Sequence, residues 1–113
     1  MAKFLWLVFT EPASTEVEGE FNDWYDRQHV PDVLRVPGVT AVQRLKVATA
    51  LEVPGKYLSI YEIEADDPSK VMAAVSARSG TDQMPLSSAL DRSSVRQMVY
   101  APLSERVEGT RLR

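Results

Sequence analysis

The stretch Tyr57-Leu58-Ser59-Ile60-Tyr61-Glu62-Ile63-Glu64-Ala65-Asp66-Asp67-Pro68 joins a clear strand pattern to a clear helix start. Side chains alternate between two faces from residue 57 to residue 65, which predicts a strand. Asp67 is a favourable N-cap and Pro68 suits the first helical position, so a helix is expected to begin there. Helical spacing then continues through Arg78, and Gly80 suits the end of that helix.

Upstream of this stretch, the chain predicts a strand over Val39 to Val47 and a loop over Ala48 to Lys56. Before them, Thr15-Glu16-Val17-Glu18 matches a capping box, with Thr15 as N-cap of a helix that Pro37-Gly38 ends. We expect Pro31 to kink or break this helix, because proline lacks the backbone donor. Helical spacing places Val17, Phe21, Trp24, Tyr25 and Gln28 on one stripe of the helix. The expected common face of the strand is Val39, Ala41, Gln43, Leu45 and Val47.

The remaining segments complete the order β-α-β-β-α-β. Phe4 to Thr10 is short and apolar, and Ser94 to Ala101 predicts the last strand after a long polar connection over Thr81 to Arg92. This order is typical of the ferredoxin-like α+β fold, in which two helices cover one face of a four-stranded antiparallel sheet. We therefore expect a single domain over residues 1–101, followed by a C-terminal tail over residues 102–113.

The predicted sheet has large apolar side chains on both faces, although the chain has helices for only one. Phe4, Trp6 and Val8 have one parity in the first strand, while Leu5, Leu7 and Phe9 have the other. An open apolar face of this size favours a partner, because burial contributes about 25 cal/mol per Å². We expect a homodimer packed sheet on sheet, with the tail packing on the partner.

Composition excludes several classes of function. The chain has 113 residues, no cysteine and one histidine, so disulfides and thiolate chemistry are excluded and a metal site is not expected. A net charge of −3 without a basic patch argues against nucleic-acid binding. Apolar runs are too short to span a membrane or to serve as a typical signal peptide, so we expect a cytoplasmic protein.

The single histidine, His29, is the first candidate for chemistry, since imidazole exchanges protons near neutral pH. Tyr25 lies one helical turn before it on the same side of the helix. Asp32 is a candidate to orient the imidazole or raise its pKa, and Asp26 is placed symmetrically on the other side. Alternatively, His29 caps carbonyls freed by Pro31, and Asp32 caps the turn after the proline.

Four aromatic residues are candidates for binding a substrate. Trp24 either lines a pocket or belongs to the core between helix and sheet. Tyr57 and Tyr61 share one strand face, which meets either the helices or a dimer partner. Tyr100 in the last strand has the same two alternatives.

The run Phe21-Asn22-Asp23-Trp24-Tyr25-Asp26-Arg27-Gln28-His29-Val30-Pro31-Asp32, followed by Val36-Pro37-Gly38-Val39, resembles the EthD-like branch of the dimeric α/β-barrel superfamily. The resemblance spans roughly residues 3 to 101. It implies that two ferredoxin-like protomers pair through their sheets into a barrel. It also implies that the family histidine corresponds to His29 and the aromatic pair to Trp24 and Tyr25. Related cyclases carry further histidines on their strands, and this sequence has none.

Three functions follow as hypotheses. The first is a cofactor-independent enzyme that performs dehydration, isomerisation, cyclisation or decarboxylation on a small, largely apolar oxygenated metabolite. In this enzyme His29 is the acid-base, and a tyrosine holds the developing oxyanion. The second is a non-catalytic binding or accessory protein of a catabolic pathway. The third, which the resemblance implies, is a monooxygenase that either uses heme through His29 or needs no cofactor.

Overall fold

The computed structural model describes residues 1–49, 52 and 55–109, so parts of the predicted loop over 48–56 and of the tail lie outside the described residues. Four strands form one antiparallel sheet in the order β2-β3-β1-β4, which is the ferredoxin-like topology predicted from the sequence. The strands are β1 (Ala2–Thr10), β2 (Val39–Lys46), β3 (Tyr57–Ala65) and β4 (Arg96–Tyr100). The helices are α1 (Glu18–Trp24), α2 (Val30–Leu34) and α3 (Pro68–Arg78).

Strand β3 has the predicted bounds, whereas β2 departs from prediction at its first residues. The register shifts between Val39 and Ala41, so Val39 is paired with Ile63 while Ala41 is paired with Glu62. Val39 is therefore buried beneath the helices, and Ala41 lies on the other face of the sheet. The expectation that Val39 and Ala41 share one face was wrong, because a β-bulge adds a residue and inverts the alternation.

The first helical segment does not begin with the predicted capping box. A short 3-10 turn, Thr15–Val17, precedes α1, and its N-cap is Ser14 rather than Thr15. Glu18 does not cap the backbone; its carboxylate accepts hydrogen bonds from the Tyr57 hydroxyl and from Lys56 Nζ. Long-range partners for the glutamate therefore take the place of the local cap.

The predicted kink or break at Pro31 is replaced by a π turn, Tyr25–His29, that connects α1 to α2 without interruption. The Val30 N–H donates to the carbonyl of Tyr25, five residues back. In a regular α-helix the proline ring would clash with the carbonyl four residues earlier. The wider turn lets the chain pass through Pro31 in helical geometry and carries both Tyr25 and His29.

Helix α2 ends before Gly38, whose φ of +97° favours glycine. A Cβ atom at Gly38 would lie 2.8 Å from Cγ2 of Val71, so the position also requires the absence of a side chain. At the other helix, the Asp67 carboxylate accepts from the Ser69 N–H at 3.0 Å, as the predicted N-cap requires. Both turn predictions made from local residue types are thus confirmed.

The side chains between the helices and the sheet form two apolar clusters. The larger cluster joins α2 and α3 to the sheet and contains Trp6, Val33, Ile63 and Val71. The smaller cluster joins α1 and the π turn to the sheet and contains Phe21, Tyr25, Tyr57 and Ala89.

The connection between α3 and β4 is packed against the domain. Its Met84 and Ala89 side chains are buried, and the Ala13 N–H donates to the Ala89 carbonyl at 2.6 Å. This connection therefore forms a fixed wall over one end of the sheet.

The second face of the sheet has no cover within the described residues and is apolar. Leu5, Leu45 and Tyr100 are 41%, 39% and 56% exposed, and Leu7 and Ile60 lie between them in the paired register of β1 and β3. Residues 102–109 follow β4 as an exposed segment. No helix in the described part of the chain is long and apolar enough to cross a membrane.

Candidate functional site

A pocket of about 200 Å³ lies between the helix-facing side of the sheet, the π turn and the fixed connection. Its wall is largely apolar, with polar groups at a few positions, which is typical of small-molecule sites. The residues that line it are Trp6, Val8, Thr10, Trp24, Tyr25, His29, Tyr61, Val75, Ser79, Met84, Leu86, Leu90, Arg92, Val95 and Gln97. The structure thus brings together four of the residues that the sequence suggested: Trp24, Tyr25, His29 and Tyr61.

His29 is held in this wall by two aromatic rings. Its imidazole stacks on Trp24, with ring centroids 4.7 Å apart and an interplanar angle of 29°. The Tyr25 ring meets it edge-on, with centroids 5.1 Å apart. His29 Nδ1 is buried and has no hydrogen-bond partner among the described residues. His29 therefore does not cap helix carbonyls through Nδ1.

Burial of the imidazole lowers the pKa of His29 to about 4, and nearby Arg44 acts in the same direction. The negative charge of Asp32 opposes this shift but does not overcome it. At neutral pH the side chain is consequently uncharged, with one ring nitrogen able to accept a proton.

Two tyrosine hydroxyls and one threonine hydroxyl lie in the same wall. Burial raises the pKa of Tyr25 and raises the pKa of Tyr61 far above its usual value, so both phenols stay protonated. The Tyr61 hydroxyl and Thr10 Oγ1 are buried, and both lie close enough to the Tyr25 hydroxyl to affect the pKa of Tyr25 by hydrogen bonding. These hydroxyls form a buried polar group in the wall of the pocket.

Two indole nitrogens fix the walls of the pocket. Trp24 Nε1 donates to the carbonyl of Pro85 at 3.1 Å, which attaches the π-turn region to the fixed connection. Trp6 Nε1 donates to Gln97 Oε1 at 3.0 Å, and the Trp6 ring stacks on Tyr61 with centroids 4.5 Å apart. These contacts hold the aromatic side chains of the site in defined orientations.

Asp32 does not contact His29 by a hydrogen bond. Its buried carboxylate accepts from Gln28 Nε2 and from Arg35 Nη1, each at 2.7 Å, and it does not line the pocket. It acts on the imidazole only through its charge. Asp26 is exposed and pairs with Arg44 at 2.8 Å.

The other two tyrosines suggested by the sequence lie elsewhere. Tyr57 faces the helices, but its hydroxyl bonds to Glu18 and Asn22 in a polar cluster outside the pocket wall. Tyr100 is paired with Leu5 on β1 and is exposed on the open face of the sheet. Arg44 lies beside the polar cluster, with its guanidinium carbon 4.2 Å from the centroid of the Tyr25 ring.

Sequence reasoning missed four polar residues of the pocket: Thr10, Ser79, Arg92 and Gln97. Thr10 shares the parity of Trp6 and Val8 in β1, so strand alternation could have found it. Gln97 lies in β4 opposite Val8, so alternation applies to it as well. Arg92 lies in a short 3-10 turn before β4, where no periodic signal indicates which way a side chain points. Among the described residues, no group of three or more histidine, aspartate or glutamate side chains could hold a metal ion.

Comparisons with known proteins give similarity in structure only. No family model and no curated protein sequence matches the chain. A solved EthD family protein of Bacillus halodurans covers 91% of this chain and all of its own length, with a TM-score of 0.52 and 15% identity.

Two further solved structures have the same architecture. The heme-degrader MhuD of Mycobacterium tuberculosis, solved with two hemes bound in its active site, covers 92% of this chain and 99% of its own, with a TM-score of 0.62 and 13% identity. HapK of Hahella chejuensis covers 97% of this chain and all of its own, with a TM-score of 0.58 and 11% identity. The chain thus has the same ferredoxin-like fold as these three solved proteins, and the EthD-like resemblance of its sequence fits this fold.

Proposed function

We propose that this protein is a cofactor-independent enzyme that transfers a proton on a small, largely apolar oxygenated metabolite, with His29 as acid-base. The observation that carries the proposal is a neutral, buried imidazole that lies beside two protonated phenols in the wall of one apolar pocket. His29, Tyr25 and Tyr61 all line this pocket, and His29 Nδ1 has no hydrogen-bond partner among the described residues.

The protonation states of these groups suit proton abstraction next to a carbonyl. Neutral His29 can accept the proton, and the protonated phenols of Tyr25 and Tyr61 can donate hydrogen bonds to the developing enolate oxygen. A buried imidazolium is unfavourable alone, but the enolate charge that forms with it compensates for the lost hydration. Dehydration, isomerisation, cyclisation and decarboxylation all proceed through such an intermediate, so lyase or isomerase chemistry is the class proposed.

A heme does not fit this pocket as well as a smaller molecule does. The volume of about 200 Å³ is below the roughly 300–1000 Å³ of pockets that hold drug-sized ligands, and a porphyrin is at least as large as those ligands. The His29 ring is also covered on one face by Trp24 and on another side by Tyr25. We therefore do not propose heme, which MhuD binds, as a ligand of this chain.

Exchange of the α-protons of 2-tetralone with D₂O, followed by ¹H NMR, tests the proposal. This ketone is small, apolar and enolisable. We expect the protein to accelerate the exchange and the His29→Ala variant to lose at least about 100-fold of that acceleration, the lower range for a general acid-base. Asp23→Asn, an exposed change on α1, is the matched control and should keep full activity.

A result in which 2-tetralone binds but its exchange is not accelerated would contradict the enzyme and favour a non-catalytic binding protein. Hemin titration separates the remaining alternative. A Soret shift that is absent in His29→Ala would favour a heme-linked function instead. We expect hemin to give no His29-dependent shift.

We further propose that the working unit is a homodimer formed by the open face of the sheet, with the C-terminal tail on the partner protomer. Leu5, Leu7 and Ile60 supply an apolar surface without cover among the described residues. Burying such a surface contributes about 25 cal/mol per Å², which favours a second copy with the same face.

A further inference from the structure

The charge of the pocket wall is uneven. Among the fifteen lining residues, Arg92 is the one that carries a full charge at neutral pH, and neither a lysine nor a carboxylate lines the pocket. His29 is neutral because burial lowers its pKa to about 4. A cation without an opposing carboxylate in the wall is an attractive place for an anion.

We propose that Arg92 selects a small apolar carboxylate as ligand, holding the carboxylate at the pocket mouth while the apolar body lies inside. The proposal rests on the proposed function and adds the substrate class to it. Arg92 is exposed to solvent and lines the pocket, so it lies where the pocket opens. Guanidinium groups bind carboxylates through two parallel hydrogen bonds, which fixes orientation as well as charge.

The surroundings of Arg92 leave its guanidinium available. Three other arginines on or near the first helical segment, Arg27, Arg35 and Arg44, form ion pairs with aspartates. Within the described chain no ion pair or side-chain hydrogen bond involves the Arg92 guanidinium. The adjacent Asp91 carboxylate is already engaged, since it accepts from the N–H of Ser93 at 3.0 Å and from its hydroxyl at 2.6 Å.

The interior opposite the mouth defines the rest of the ligand. Trp6, Val8 and Met84 offer apolar walls, and His29 and Tyr61 offer the polar groups that would meet a reacting carbonyl or hydroxyl. The expected ligand is therefore an aromatic or alicyclic acid with a carboxylate at one end and the reacting oxygen function at the other.

Calorimetric titration with a matched pair of probes, 2-naphthoate and 2-naphthamide, tests the proposal. The two differ mainly in charge. We expect 2-naphthoate to bind about tenfold more tightly than the amide, the lower range for a hydrogen bond to a charged group at an exposed site. Arg92→Gln should remove this preference without weakening the amide.

Arg27→Gln is the control, because it removes the same charge from an exposed arginine that does not line the pocket and whose side chain pairs with Asp23. It should keep the preference. Equal binding of both probes, binding of neither, or an equal loss in both arginine variants would overturn the proposal. His29→Ala should keep the preference for the acid, so failure of the catalytic proposal and failure of this one give different results.

Discussion

Trp24 stacks on His29 with ring centroids 4.7 Å apart, and this contact helps to keep the imidazole neutral. Burial is the largest cause of the lowered pKa of His29, and the indole covers one face of the ring. We expect Trp24→Ala to raise the pKa of His29 from about 4 toward its usual value near 6.5, because water then reaches the ring.

This pKa is directly measurable, since the chain has one histidine and gives one imidazole Hε1 resonance in an NMR titration. Trp24→Phe, which keeps an aromatic ring over the imidazole, is the matched variant and should shift the pKa less. An unchanged pKa in Trp24→Ala would mean that the indole has no part in the effect.

The same buried imidazole predicts how stability changes with pH. The pKa of His29 is about 4 in the folded protein and near 6.5 in the unfolded chain, so only the unfolded chain gains a proton between these values. The contribution of His29 to folding is complete above pH 6.5 and falls as the pH drops toward 4, by about 3 kcal/mol in total.

Urea unfolding of the wild-type protein and of His29→Gln across pH 4 to 7 checks this prediction. The difference between the two free energies of unfolding isolates the histidine from the carboxylates, which titrate in both proteins. It should change by about 3 kcal/mol over the range, in favour of the variant at low pH. A constant difference would show that His29 is not buried in solution.

Tyr61 and Tyr57 form a natural pair of tests, since the Tyr61 hydroxyl lies beside Tyr25 in the pocket wall and the Tyr57 hydroxyl bonds to Glu18 outside it. Tyr61→Phe should change the free energy of unfolding by no more than about 1 kcal/mol, while weakening binding or exchange of 2-tetralone. Tyr57→Phe removes the hydroxyl that bonds to Glu18 and Asn22, so it should lower stability by about 1–2 kcal/mol.

Thermal unfolding and the exchange assay together separate these outcomes. If Tyr61→Phe lost stability while binding stayed intact, its hydroxyl would be structural and would have no role toward a ligand.

The proposed dimer predicts a molecular mass that one charged substitution in the open face of the sheet should halve. Sedimentation equilibrium should give twice 12.6 kDa for the wild-type protein. Leu7→Glu places a carboxylate in the middle of the open face, opposite Ile60 in the register, and should give a monomer. Ala73→Glu adds the same charge on the exposed side of α3 and should stay dimeric. A wild-type monomer at micromolar concentration would contradict the proposal.

Sequence alone predicted those parts of the fold that are encoded by neighbouring residues. The alternation of side chains predicted the bounds of β3. Asp67-Pro68 predicted the start of α3, and Pro37-Gly38 predicted the end of α2. The capping box failed because Glu18 found partners on β3, and the single face of β2 failed because of a bulge. Long-range contacts decide such features, so local patterns do not reveal them.

The candidate site was predictable where it lies on the helix and less so elsewhere. Trp24, Tyr25 and His29 were found because helical spacing places them together. Tyr61 was found, but the sequence left open which layer its strand face would meet. Tyr100 lies on the opposite side of the sheet because it is paired with Leu5 on β1, and the sequence left open which face of β4 would meet the helices. Arg92 could not be anticipated, because an irregular segment carries it into the wall.

The π turn also has a consequence for how the sequence can vary. It adds about one residue to a helical turn. The positions of the residues in α2 are therefore offset by roughly 100° from those that an uninterrupted α-helix would give them. Phe21 on one side serves the smaller apolar cluster, and Val33 on the other serves the larger. Removing one residue between Tyr25 and His29 would restore a regular helix and keep the two clusters in phase, but it would set the ring of Pro31 against the carbonyl four residues earlier, so the extra residue and the proline have to be kept or lost together.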